Sequence, residues 1–169
     1  MSYRNKTYVA FASEDIRSYR LMQAWHSSDN IDFDFYDAHA LYVSRDTSLP
    51  ETIRRNLRQR MSNAKQIVLL GSPVGRRKGS DATSFLAHEV KIAREFDLPI
   101  VIANLNGSRT VDETVIPQPL LDSGHYTVSV SFQPRIIMHA LDKYVPVYLD
   151  APKKGPHQYG APVYSSLGL

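Results

Sequence analysis

Residues 66–103 read QIVLLGSPVGRRKGSDATSFLAHEVKIAREFDLPIVIA. The run Ile67, Val68, Leu69, Leu70 is short, apolar on both faces and bounded by a Gly-Ser pair, as a fully buried strand over residues 66–71 should be. A Gly/Arg/Ser-rich loop over residues 72–83 follows. Residues 85–96 then repeat apolar side chains at helical spacing, and residues 99–103 supply a second buried strand. Two such strands joined through a helix form a parallel crossover unit, whose sheet needs helices on both faces. Turned at about 100° per residue, the helix gathers Phe85, Leu86, Val90, Ile92, Ala93 and Phe96 on one arc. Glu89 falls inside that arc, while His88, Lys91, Arg94 and Glu95 fall opposite. A carboxyl on an inward face costs free energy unless it has a partner or faces a cleft. Glu89 is therefore a candidate reactive group, with a structural acid paired to an arginine or a backbone donor as the alternative reading.

The same alternation extends in both directions. Residues 8–12 read as a buried strand, followed by a helix to about His26 that Ser13 or Asp15 would cap. Residues 31–36 alternate as a strand, and Pro50 opens a helix on which Ile53, Leu57 and Met61 recur every fourth residue. Beyond the central unit, residues 104–124 are irregular with room for one short helix. Residues 126–130 form the fifth strand, and Ile136, Ile137, Ala140, Leu141 and Tyr144 mark a final helix. The expected architecture is a flavodoxin-like α/β sandwich with a five-stranded parallel sheet, spanning residues 1–150. Residues 151–169, APKKGPHQYGAPVYSSLGL, are rich in Pro and Gly and read as a C-terminal tail. Sheets of this kind bind ligands beyond the carboxyl ends of their strands, and Glu89 is expected at that edge.

Composition narrows the function. In 169 residues, 43% hydrophobic and 22% charged content fits one globular core. The absence of cysteine excludes disulfides and thiolate chemistry. Six histidines without ligand spacing give a metal site little support. The apolar run near the N-terminus is too short for a membrane span or signal core, so a cytoplasmic protein is expected. A net charge of +3 with Arg54, Arg55, Arg58 and Arg60 on one helix reads as a solvated face, and no nucleic-acid partner is expected. Dinucleotide, Walker and nucleophile-elbow signatures are missing.

Four ordered segments add a resemblance. They are Tyr8-Val-Ala-Phe-Ala-Ser13; Asp37 followed by Arg45-Asp46 and Pro50-Glu51-Thr52-Ile53; Ser62 followed by Gln66 through Ser72; and Phe85 four residues before Glu89. Together they resemble the Toll/interleukin-1 receptor (TIR) domain, most closely the short bacterial TIR-like proteins of Thoeris antiphage systems. Phe85 stands where many catalytic members carry Trp.

The resemblance implies an enzyme that cleaves the nicotinamide–ribose bond of NAD and makes a cyclic ADP-ribose isomer. That diffusible signal would activate a separate effector protein. NAD is then a substrate, no cofactor is needed, and homo-oligomers are implied. Glu89 takes the catalytic part, with Phe11, Ser13, Asp37, Ser72 and Phe85 in substrate contacts. Two other readings stay open at this stage: a non-catalytic TIR-like scaffold, and a nucleoside deoxyribosyltransferase-like enzyme.

Overall fold

The computed structural model describes residues 6–33, 36–37, 50–150 and 153–169. Strand β1 (Lys6–Ala10) leads through a short 3₁₀ turn into helix α1 (Ile16–His26), then β2 (Tyr36–Asp37) and α2 (Pro50–Met61). Strand β3 (Gln66–Gly71) is followed by two helices, α3 (Pro73–Ser80) and α4 (Phe85–Glu95). Then come β4 (Ile100–Asn104), α5 (Gln118–Asp122), β5 (Thr127–Ser131), α6 (Pro134–Asp150), β6 (Pro156–Gln158) and α7 (Ala161–Ser166). All strand pairs are parallel and the sheet order is β2-β1-β3-β4-β5-β6. The expected flavodoxin-like sandwich is present, and a sixth strand extends it.

Each face of the sheet carries its own core, as the period of two along a strand requires. Val9, Val68, Leu70, Val101 and Val130 join side chains of α1, α6 and α7. Tyr8, Ala10, Ile67, Leu69, Ile100 and Ile102 join side chains of α2, α4 and α5 on the other face. In β3, β4 and β5 every residue is buried, which accounts for the apolar runs that mark β3 and β4 in the sequence, while β5 alternates valine with buried Thr127, Ser129 and Ser131.

Three segments differ from the sequence expectation. Of the strand expected over residues 31–36, Tyr36 belongs to β2, paired with Lys6, while residues 31–33 are irregular. There the Phe33 N–H bonds the Ile31 carbonyl, and its ring meets Trp25 edge-on at 5.5 Å. Apolar alternation reports burial against Trp25 rather than a ladder.

Residues expected as a loop form α3. Ser72 caps it by accepting the Gly75 N–H at 2.9 Å, and Pro73 fills the first turn. Its glycines serve packing rather than turning, because a Cβ on Gly79 would lie 2.7 Å from Pro117 Cγ.

The expected tail instead closes the sheet edge. His157 pairs with Val128, and Tyr164, fully buried, accepts the Ser131 N–H at 3.2 Å. One buried tyrosine outweighs the Pro/Gly composition, which only describes the turns around it.

Gly79→Ala gains up to about 1 kcal/mol of helix propensity. It must also displace a rigid proline ring. The balance should be a loss of roughly 1–3 kcal/mol in chemical denaturation. Equal or raised stability would mean that α3 stands off from Pro117.

Candidate functional site

Helix α4 is held at its start by a polar knot. Asp81 Oδ1 accepts the N–H groups of Thr83 and Ser84 at 2.9 and 2.7 Å, and Ser84 Oγ accepts the Ala87 N–H at 3.1 Å. These bonds satisfy groups that the first helical turn leaves free. They also fix the helix rotation, so that Leu86, Glu89, Val90, Ile92 and Ala93 are buried while Lys91, Arg94 and Glu95 face outward. The inward arc read from the sequence is the buried arc of the helix.

Glu89 is 1% exposed and Tyr8 is 0% exposed. The Tyr8 hydroxyl donates to Glu89 Oε1 at 2.9 Å. Glu89 Oε2 is buried with no hydrogen-bond partner among the described residues. Burial pushes the Glu89 carboxyl up to about 8, opposed by the Tyr8 hydrogen bond and by the charge of Arg60. Near pH 7 the group is therefore held as the neutral acid.

Tyr8 is the central residue of β1 and pairs with Ile67 of β3. Glu89 thus lies over the middle of the strand, below the carboxyl edge where it was expected. Its helix is the second after β3, with α3 intervening in the chain.

The other sequence candidates separate into three places. Phe85 opens α4 one turn before Glu89 and packs on the same core. Ser13 and Ser72 both follow strands at the carboxyl edge, where Ser72 Oγ donates to Asp15 Oδ2 at 2.5 Å. Lys78 Nζ reaches Ser13 Oγ at 3.3 Å and Glu14 Oε1 at 2.8 Å. Neither Ser13 nor Asp15 caps α1 with its side chain, because the 3₁₀ turn of residues 13–15 takes up the start of the helix. Asp37 lies in β2 with its backbone beside Thr7.

Phe11 is not brought to Glu89. It stacks on Tyr19 with ring centroids 4.7 Å apart and joins the core on the opposite face of the sheet. Residues 45, 46 and 49 of the loop before α2 lie outside the described residues. Among the described residues no group of three or more His, Cys, Asp or Glu could hold a metal, and no helix is long and apolar enough to cross a membrane.

Tyr8 is a candidate-site residue that the sequence reading did not single out. For Tyr8 a signal existed, since a tyrosine at a fully buried strand position needs a partner for its hydroxyl. Alternation along β1 also puts it on the α4 face.

The family model for the TIR-like domain of the Thoeris protein ThsB matches residues 8–110. The chain belongs to this TIR-like family. It is accordingly a TIR-like protein of Thoeris antiphage defence. No curated protein matches the chain. The matched span begins at Tyr8, contains Glu89 and takes in β1 to β4, so the buried pair lies within the TIR-like unit.

A group whose acid is favoured by folding binds its proton more tightly in the native than in the unfolded state. Stability should therefore fall as pH rises from about 4.5 toward about 8, the range set by the free and buried values of Glu89. Above that range the penalty approaches its full size, on the order of 4 kcal/mol. Glu89→Gln should match wild type near pH 4.5, exceed it above pH 8 and show a flatter profile. Urea midpoints measured across this range would contradict the assignment if the two proteins kept parallel profiles.

Proposed function

We propose that this protein cleaves the nicotinamide–ribose bond of NAD and closes the ADP-ribosyl part into a cyclic isomer that activates a separate effector. The observation that carries the proposal is Glu89: a carboxyl shut into an apolar face with one oxygen unpartnered, in a TIR-like domain, four residues after Phe85. Such a group is costly to stability, and cost without structural return marks a functional residue.

NAD brings its own leaving group. The C1′–N bond breaks with both electrons going to the nicotinamide ring, whose positive charge is thereby cancelled, so no general acid is required. Positive charge then develops at the ribose C1′ and ring oxygen. A carboxylate close to that carbon stabilises it, and more so in a dry site than in water. A nucleophile of the same ADP-ribosyl molecule then forms the new bond to C1′ and loses its proton.

Glu89 is neutral and covered as it stands, so it cannot yet act. Exposing the carboxyl to solvent and admitting a cationic nicotinamide both favour the ionised form, as does the hydrogen bond from Tyr8 for as long as it is kept. In this reading the covered state is the resting state, and infection supplies what opens it. Phe85 forms an apolar wall, Ser13, Ser72 and Asp37 offer polar contacts to ribose or diphosphate, and Phe11 braces the end of β1 from the other face. Water must be kept from the ribosyl cation, and a second copy of the chain over the carboxyl edge would provide that closure.

The scaffold reading has one specific point in its favour. A Tyr-bonded buried acid is also what a purely structural carboxyl would look like. Metabolites extracted from phage-infected cells separate the two. Glu89→Gln should lower nicotinamide release and the cyclic product by at least about 10²-fold without loss of folded protein. Undiminished defence by the variant would favour the scaffold. Base exchange between nucleosides without NAD loss would favour a deoxyribosyltransferase-like enzyme.

A further inference from the structure

A cleft of about 850 Å³ opens at the amino ends of β4 and β5, away from the Ser13–Ser72 edge. Its walls are the last turn of α4, the turn before β5 and the end of α6, with Lys153 and Lys154 closing one side. Lys91, Arg94, Lys153 and Lys154 all line it. None of the four makes an ion pair among the described residues. The two acids that line it are both engaged: Glu95 pairs with Arg58, and Asp97 accepts the Tyr148 hydroxyl at both its carboxylate and its backbone carbonyl.

Cations gather at helix C-termini for an ordinary reason, since the carbonyl ends there carry partial negative charge. That effect is too small to account for this cluster. The ends of α4 and α6 contribute about half a charge each, so roughly two positive charges are left over after Asp97 is counted.

The cleft is also aromatic. The rings of Tyr126 and Tyr148 lie parallel, 3° apart in plane, and Lys153 Nζ sits 5.9 Å from the Tyr126 centroid. Tyr148 is only part-buried and presents a flat wall. Its hydroxyl pins Asp97, which takes φ +50 in a Schellman stop after α4, with Leu98 N–H bonding Ala93 and Asp97 N–H bonding Arg94. A non-glycine held in the left-handed region fixes this wall in place at some cost.

We propose that this cleft binds a phosphate-bearing ligand with a planar aromatic ring, of the nucleotide class, at a site separate from Glu89. Cations on facing walls take the phosphates, and the Tyr148 face takes the ring. Stacking of a base on an aromatic side chain adds affinity that phosphate alone lacks.

The test uses the full chain and ADP as probe, followed by amide NMR shifts. Shifts should centre on residues 91–97 and 123–126. Lys153→Glu combined with Lys154→Glu, both at exposed positions, should weaken binding by about tenfold or more. Tyr148→Leu should weaken ADP while leaving the weaker binding of inorganic phosphate unchanged. The proposal is overturned by no binding at millimolar ADP, by shifts confined to the surroundings of Glu89, or by unchanged affinity in the double variant. Tighter binding of a single-stranded oligonucleotide than of ADP would also overturn it, by giving the cleft to nucleic acid.

Discussion

A carboxyl group shut between a strand and a helix is the constraint around which the rest of this molecule is arranged. Glu89 accepts one hydrogen bond, from Tyr8, and has a second oxygen with no hydrogen-bond partner among the described residues. In an apolar interior the charged form of such a group is far costlier than the neutral form. The domain therefore holds an acid that is protonated while covered and becomes a strong electrostatic partner only when uncovered. Its rotation is set by the Asp81–Ser84 knot at the start of α4, and its partner by the alternation of β1. A few local bonds thus decide where the buried acid is held.

Physical chemistry separates the two ends of the sheet. At the carboxyl edge, two polar pairs, Ser72 with Asp15 and Lys78 with Ser13, join the turn after β1 to α3 and its cap. At the amino edge, four cations without an ion pair among the described residues and two parallel tyrosines line an open cleft. Helix α4 joins the two, with Glu89 on its inward face and Lys91 and Arg94 two and five residues later on its outward face. A ligand in the cleft would act on the same helix that covers the acid, which gives a physical route between them without requiring contact.

Sheet and helices were largely legible because their signals come from burial on both faces. The strands around Val68 and Val101 carry continuous apolar runs, Ile67–Leu70 and Ile100–Ala103, which mark them in the sequence. The inward arc of α4 was legible for the same reason. What misled were residues with two uses. Gly75 and Gly79 signal a turn by composition, yet here they let α3 pack closely against Leu70 and Pro117. Residues 156–158 carry little apolar content because an edge strand has only one neighbour, and the last helix is tied down by buried Tyr164 with Val163 and Leu167 packed beside it. Phe11 entered the candidate site through the resemblance, while alternation over the three positions from Tyr8 puts it on the opposite face of the sheet. Tyr8 itself was visible as a strand residue. Its partner, 81 positions away, was not, since a single sequence does not display which helix covers which strand.

The most direct test of this account is the ionisation of Glu89 itself, read from the side-chain carboxyl carbon by NMR in protein labelled at glutamate, with Glu89→Gln used to assign the signal. A titration midpoint near 8 would show a buried acid held neutral in the resting protein. A midpoint near 4.5 would place Glu89 in water and contradict the stored-acid account.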